Sequence, residues 1–172
     1  MHYIFTTLLL TFSTVASAQL QNPFEAIEYD KVVAYEFKGD GARLIKYCLK
    51  REPNRISDSV TISKKHIRKL EKVLAANKSY GGTTATCFDP HLALVYYKNQ
   101  QIVATVDICL DCNSLLPSFE IPATKHKMIK VDDDYSYPAH GFSKGARKSI
   151  HQFCTKIGFT QYLKPLESVF DE

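Results

Sequence analysis

Three cysteines at the two ends of one predicted β-hairpin constrain the fold of this chain more than any other feature. A Cys-Phe-Asp-Pro-His segment begins at Cys87, and a Cys-x-x-Cys motif runs from Cys109 to Cys112. Two strand-like stretches lie between these segments, and the chain is predicted to reverse at Asn99-Gln100. Simple antiparallel pairing about that turn places Cys87 opposite Cys112. We therefore expect three sulfur atoms to converge from distant positions in the sequence.

The two strands of this hairpin carry apolar side chains on both faces. One predicted face holds His91, Ala93, Val95 and Tyr97 against Ile108, Val106, Ala104 and Ile102. The other holds Leu92, Leu94 and Tyr96 against Asp107, Thr105 and Val103. Such a pattern is typical of the middle of a sheet that has helices on one face.

A second hairpin is predicted near the start of the domain. Residues 31–38 alternate between apolar and polar, Gly39-Asp40-Gly41 is a turn signal, and a second alternating run follows over 43–49. Pairing across this turn matches Tyr35 with Ile45 and Val33 with Tyr47, so both apolar sets share the face toward the core. In that arrangement Cys48 lies on the polar side of its strand.

Two amphipathic helices complete the predicted elements. The first follows the N-cap candidate Ser63 over residues 64–76 and precedes a loop over 77–86. The second begins at Ser143 and ends at Gly158. The apolar stripe of the first helix is Ile67, Leu70, Val73 and Leu74, and that of the second is Ala146, Ile150, Phe153, Cys154 and Ile157. Together, the elements predict one α+β domain with a mostly antiparallel sheet, about two packed helices and a core over about residues 30–160.

The N-terminus resembles a secretory signal. Residues 1–18 contain an apolar stretch followed by small residues at Ala16 and Ala18, which fits cleavage before Gln19. The apolar stretch is shorter than the roughly 20 residues that a membrane-spanning helix needs. We therefore expect a secreted or periplasmic protein, with residues 19–172 as the mature domain and no transmembrane segment in it.

The charge pattern and the motif search narrow the function classes. The 172 residues contain 22 Lys and Arg against 18 Asp and Glu, and most cations are scattered rather than gathered in a stripe. This does not favour nucleic-acid binding. No Gly-x-Ser-x-Gly, His-Glu-x-x-His or phosphate-loop motif occurs. We expect no cofactor. The sequence does not favour an enzyme, and it does not identify a partner.

The five cysteines follow different expectations. An exported protein meets oxidising conditions, so disulfide pairing is the default, and an odd number leaves at least one thiol over. Cys154 shares a buried helix stripe and is expected to remain inert. Cys48 is expected to react sooner if it is free.

The cluster of Cys87, Cys109 and Cys112 has three interpretations. The favoured one is a structural disulfide, either between Cys109 and Cys112 or from Cys87 to one of them. The second is a zinc site formed by the three cysteines with His91 or His140 as the fourth ligand.

The third interpretation is thiol–disulfide exchange. The stretch from Ile108 to Pro117 locally resembles the active-site segment of thioredoxins, in which a strand also delivers a Cys-x-x-Cys. In such a site Cys109 would attack the substrate disulfide, and Cys112 would resolve the mixed disulfide that results. The chain lacks the tryptophan that precedes the motif there, and Asp111 would raise the thiol pKa values.

The wider pattern resembles a group of uncharacterised exported bacterial proteins. The shared features are the Cys-Phe-x-Pro-His segment, the hairpin, Ile-Cys-x-x-Cys, and Gly141-Phe142-Ser143 at the start of a helix. The resemblance spans roughly residues 80–160 and implies one secreted or periplasmic domain without a known activity. The sequence thus favours a binding or structural module stabilised by a disulfide, with a periplasmic oxidoreductase and a zinc-stabilised module as alternatives.

Overall fold

A five-stranded antiparallel sheet with helices on both faces forms the centre of the molecule. The computed structural model describes residues 22–41 and 43–162, and the predicted export segment 1–18 lies outside them. Within this part the strands are β1 (Lys31–Phe37), β2 (Ile56–Ile62), β3 (Tyr80–Gly82), β4 (Leu92–Lys98), β5 (Gln101–Cys109), β6 (Ser114–Pro117), β7 (Met128–Lys130), β8 (Ser136–Pro138) and β9 (Gly141–Phe142). The helices are α1 (Ile45–Arg51), α2 (Lys64–Leu74) and α3 (Lys144–Lys156). The large sheet has the order β2-β1-β4-β5-β6, and β3 pairs with β9 and β7 with β8 in two small sheets.

Strand β4 lies at the centre of the large sheet and separates two hydrophobic cores. Its residues 92–96 are all buried, as expected for a strand with packed elements on both faces. The larger core lies between the sheet and helices α2 and α3. The smaller core lies on the opposite face and is covered by α1. The predicted α+β class is confirmed, with a third helix in addition to the two expected ones.

The predicted N-terminal hairpin is wrong. Residues Ile45–Arg51 form α1, and β1 pairs instead with β2 and β4. In a helix, Ile45 and Cys48 lie three residues apart on one face, and both are fully buried. Tyr47, predicted to face the core, is 43% exposed. Cys48 therefore lies in the smaller core rather than on a polar strand face.

The central hairpin is confirmed, but most of its predicted register is shifted by one residue. Asn99 and Gln100 have φ values of 50° and 65°, as a tight two-residue hairpin turn requires. Tyr97 pairs with Ile102 as predicted, and the register then shifts because Val103 has no partner in the ladder. Beyond this bulge Leu92, Leu94 and Tyr96 face Ile108, Val106 and Ala104. The bulge thus places Asp107 with Ala93 on the face covered by α1.

Helices α2 and α3 match their predicted positions. Ile67, Leu70 and Leu74 of α2 are buried. The helix ends at Leu74 rather than at residue 76, and Ser63 makes no side-chain capping bond. In α3 the Ser143 hydroxyl accepts a hydrogen bond from the Ala146 N–H. No helix in the described part has the length and apolar character to cross a membrane.

Candidate functional site

The fold brings the three predicted cysteines together at one end of the central hairpin. Cys109 ends β5, Cys112 lies in the turn before β6, and Cys87 lies in the loop before β4. Cys109 and Cys112 form a disulfide with a Cα–Cα distance of 5.3 Å. The Cys87 Sγ atom lies 2.9 Å from the Cys112 Sγ atom. The three sulfurs thus form one cluster in which Cys112 is the central member.

The cluster has one exposed cysteine and two buried ones. Cys109 and Cys112 are both 0% exposed, whereas Cys87 is exposed. The Cys112 N–H points to the Cys109 sulfur at 3.0 Å. The Asp89 N–H points to the Cys112 sulfur at 3.3 Å. An external reactant can therefore approach the cluster from the Cys87 side.

A buried asparagine holds the turn that carries the disulfide. Asn113 adopts a φ of 55°, a backbone conformation that asparagine tolerates better than most residues. Its side-chain amide donates to the carbonyls of Thr83 and Phe142, at 2.8 and 3.1 Å. Its side-chain oxygen accepts from Arg147, which also donates to the Leu110 carbonyl at 2.6 Å. These bonds connect the disulfide turn to the residue that follows β3, to β9 and to α3.

Two glycines let the small β3–β9 sheet approach this turn. A Cβ atom on Gly82 would lie 2.6 Å from the Phe142 carbonyl oxygen and 3.2 Å from the Asn113 amide nitrogen. A Cβ atom on Gly141 would overlap the Thr83 carbonyl oxygen. Side chains larger than hydrogen at these positions would separate the two strands. The glycines thus position the carbonyls that Asn113 binds.

The two histidines proposed as zinc ligands are engaged elsewhere. The His91 Nδ1 atom lies 3.2 Å from the Phe37 carbonyl, and the ring stacks on Tyr162 with a centroid distance of 4.6 Å. The His140 Nδ1 atom lies 3.1 Å from the Thr124 carbonyl. Among residues 22–41 and 43–162, no group of three or more His, Cys, Asp and Glu side chains is arranged to hold a metal ion.

The remaining two cysteines are separate from the cluster and buried. Cys48 lies in the smaller core, and Cys154 lies in the larger core on α3. Burial raises the pKa of the Cys48 thiol, and it raises the pKa of the Cys154 thiol to about 12. Both thiols are therefore poor nucleophiles in the folded state, because the thiolate is the reactive form.

Asp107 is a buried carboxylate next to the cluster in sequence, and its role was not predicted. Its Oδ1 atom accepts the Ile45 N–H at 2.8 Å, so it caps the first turn of α1. Burial raises its pKa from the usual 3.8 to about 6, while the Ile45 N–H and Lys46 lower it. Asp107 thus couples the central hairpin to α1.

Sequence patterns contain a partial signal for two of the residues that sequence reasoning missed. Arg147 is in helical phase with Ile150 and Cys154, so a cation on an apolar stripe could have suggested a buried partner. Asn113 directly follows the Cys-x-x-Cys motif, where a residue tolerant of positive φ is expected in a tight turn. Their partners are distant in sequence, so the pairing itself has no local signal.

A separate cleft of about 700 Å³ lies between residues 22–30 and α2. Its charged lining residues are Glu25, Glu28, Asp30 and Glu71, together with Lys64, Arg68, Lys72 and Lys98. Glu71 is almost fully buried there and accepts a hydrogen bond from the Tyr29 hydroxyl at 3.3 Å. Burial raises the pKa of this carboxyl group. The cleft thus presents both charge signs to solvent.

Comparisons of the chain with models of protein families, with curated proteins and with solved structures find no match.

Proposed function

We propose that this protein is an exported binding or structural module, and that the Cys109–Cys112 disulfide stabilises it. The observation that carries the proposal is the complete burial of both sulfurs, in a turn whose polar groups bind β3, β9 and α3. A disulfide in this position restrains the turn, and external thiols cannot reach its two sulfur atoms directly. That is the behaviour of a structural disulfide.

The binding role is supported by the charged cleft between residues 22–30 and α2. The cationic side chains Lys64 and Arg68 line it from α2, and Glu25 and Asp30 line it from the opposite side. A polar partner with charges of both signs would be complementary to this surface.

The oxidoreductase alternative is less well supported. A catalytic thiol of the thioredoxin type must reach its substrate as a thiolate, which requires at least partial exposure. Cys109, the attacking residue in that interpretation, is 0% exposed. The zinc alternative is also less well supported, because the His91 Nδ1 atom faces the Phe37 carbonyl.

Catalysis can be tested directly with an insulin-reduction assay. Wild-type protein should not accelerate insulin reduction by dithiothreitol, because a structural disulfide has a potential below about −300 mV and resists cycling. The matched control is the Cys109→Ala/Cys112→Ala double variant, which should give the same rate. Turnover by wild type that disappears in the double variant would favour the oxidoreductase alternative.

Export is tested by N-terminal sequencing of the protein purified from its native compartment. Export with signal cleavage predicts a mature chain that starts at Gln19, since Ala16 and Ala18 supply small residues at the two recognition positions. An intact Met1, or protein retained in the cytosol, would contradict export. The oxidising compartment that export implies is consistent with a persistent disulfide.

A further inference from the structure

We propose that Cys87, Cys109 and Cys112 form a thiol–disulfide exchange site that external reactants enter through Cys87. The proposal goes beyond a structural disulfide, because it assigns a reaction to the exposed third cysteine. Its starting observation is the 2.9 Å separation between the Cys87 and Cys112 sulfurs. At this distance the Cys87 sulfur is placed to attack the Cys112 sulfur and to displace Cys109 from the disulfide.

Backbone N–H groups lie next to both sulfurs of the existing disulfide. The Cys112 N–H points to the Cys109 sulfur at 3.0 Å and would stabilise negative charge that develops there as this sulfur leaves. The Asp89 N–H points to the Cys112 sulfur at 3.3 Å and orients the atom that is attacked. These donors favour attack at Cys112 with Cys109 as the leaving group.

The exchange step is balanced without an added oxidant or reductant. The Cys87 thiol first loses its proton to solvent, and its thiolate attacks the Cys112 sulfur. A Cys87–Cys112 bond forms while the Cys109–Cys112 bond breaks, and the bonding electron pair leaves on Cys109. The Cys109 thiolate then takes a proton from solvent. One disulfide and one thiol are present before and after the step.

The exchange step changes which cysteine of the cluster is the unpaired thiol. In the Cys109–Cys112 form that thiol is Cys87, which is exposed. In the Cys87–Cys112 form the remaining thiol is Cys109, which is buried in the present structure. The second disulfide would also join residues 25 positions apart, so it would restrict the unfolded chain more than the first. The unpaired thiol of the cluster thus alternates between an exposed position, Cys87, and a buried one, Cys109. The external reactants of the site are thiols and disulfides.

Peptide mapping of acid-quenched protein tests the internal exchange. Acid protonates the thiolates and stops the exchange, and N-ethylmaleimide in mildly acidic denaturant then labels every remaining thiol. We expect two populations of wild-type chains, one labelled at Cys87 and the other at Cys109. In the Cys87→Ser control the label at Cys109 should disappear, because only exchange with Cys87 releases it. Wild-type protein labelled at Cys87 but never at Cys109 would overturn the proposal.

The Cys109→Ser variant provides a second test. Under mild oxidation it should form the Cys87–Cys112 disulfide and keep a wild-type circular dichroism spectrum. A folded variant in which Cys87 and Cys112 both remain unpaired would contradict the proposal. If the variant does not fold, the wild-type mapping decides alone. In the Cys87→Ser background, melting of the Cys109→Ala/Cys112→Ala double variant does not involve Cys87 chemistry, so failure here leaves the structural role of the disulfide standing.

Oxidised glutathione serves as the probe for external reactants. In wild-type protein it should form a mixed disulfide on Cys87, with Cys48 and Cys154 unmodified because both are buried. The Cys87→Ser variant should gain no glutathione. Absence of the adduct from wild type, or its appearance on Cys48 or Cys154 first, would contradict entry through Cys87.

Discussion

At the scale of single residues, the five cysteines are separated by their surroundings rather than by their sequence contexts. Cys48 and Cys154 lie in two different cores, and burial raises the pKa of each thiol. Cys87 is exposed. Accessibility therefore favours reaction at Cys87, and the raised pKa values of Cys48 and Cys154 disfavour reaction at those two thiols.

Native-state alkylation should follow this order. Iodoacetamide at neutral pH is expected to modify Cys87 first, whereas Cys48 and Cys154 should react only after unfolding, because a buried thiol needs an opening of the core. Time-resolved peptide mapping with and without urea measures the order. Rapid labelling of Cys154 in the native state would contradict its burial between α3 and the sheet. Rapid labelling of Cys48 would contradict its burial beneath α1.

Asp107 predicts a pH dependence of stability. Its folded-state pKa of about 6 lies above the usual 3.8, so the folded protein binds a proton more tightly than the unfolded chain does. The stabilisation linked to this proton is fully present below about pH 4 and is lost as the pH rises through 6. The two-unit shift corresponds to roughly 3 kcal/mol at most.

The Asp107→Asn substitution should remove this dependence. An asparagine oxygen can still accept the Ile45 N–H, but it does not ionise. Relative to wild type, the free energy of unfolding of the variant should rise by about 1–3 kcal/mol between pH 4 and pH 7. Urea titrations across this range measure the difference. A constant difference between the two proteins would show that Asp107 has an ordinary pKa.

At the scale of secondary-structure elements, β3, β9 and the disulfide turn form a unit that is held together by Asn113. The unit depends on three side-chain hydrogen bonds of Asn113, to Thr83, Phe142 and Arg147. It also depends on close backbone contact at Gly82 and Gly141. The side-chain bonds and the backbone contact can be tested separately.

Substitution of Asn113 by glycine tests the hydrogen bonds. Glycine tolerates the φ of 55°, so Asn113→Gly removes the side chain without adding backbone strain. The free energy of unfolding should fall by about 2–3 kcal/mol, because buried polar partners lose their bonds. The matched control is Asn99→Gly at the exposed hairpin tip, where φ is 50°. The free energy of unfolding of this control should remain within about 0.5 kcal/mol of the wild-type value. If urea unfolding gives equal losses for Asn113→Gly and Asn99→Gly, the role of Asn113 is contradicted.

Substitution of Gly141 by alanine tests the close backbone contact. The added methyl group would overlap the Thr83 carbonyl, so Gly141→Ala should lower the free energy of unfolding by about 2–3 kcal/mol. The matched control is Gly145→Ala in α3, where a Cβ atom meets nothing within 4 Å. Alanine there should stabilise the helix by up to about 1 kcal/mol. Similar melting of the two variants would contradict the tight β3–β9 contact.

Elements whose formation depends on local sequence patterns were predictable, and those that depend on distant partners were not. The 3.6-residue period of α2 and α3 and the two-residue turn of the central hairpin are local signals. The segment 45–51 alternates like a strand and also fits one short helical face, and the group that caps it is Asp107, far away in sequence. Packing against the sheet decides between the two structures.

The dependence on partners distant in sequence also explains which features of the cysteine cluster could be predicted. Antiparallel pairing brings Cys87 near Cys112 even with a one-residue error, because the Val103 bulge shifts the strands only slightly. Disulfide connectivity depends on side-chain directions that the sequence pattern does not specify. The roles of Asn113 and Arg147 depend on the folded path of the chain, so they required the structure.

At the scale of the whole molecule, the disulfide lies where the end of the central hairpin meets α3. Arg147 of α3 binds the Leu110 carbonyl inside the Cys-x-x-Cys turn, so the helix and the disulfide stabilise the same segment. On the opposite face of the sheet, Asp107 connects β5 to α1. Strand β5 and the turn that follows it thus carry both connections.

The central claim, that the Cys109–Cys112 disulfide stabilises the fold, is tested most directly by the melting temperature of the Cys109→Ala/Cys112→Ala double variant. The disulfide closes a short loop and should contribute about 2 kcal/mol through the unfolded chain. We expect the melting temperature of the oxidised protein to fall by roughly 4–8 °C in the variant. Both proteins carry Cys87→Ser, so that no Cys87–Cys112 disulfide can form, and the Cys87→Ser protein with Cys109 and Cys112 intact is the reference. An unchanged melting temperature in the double variant would contradict the claim.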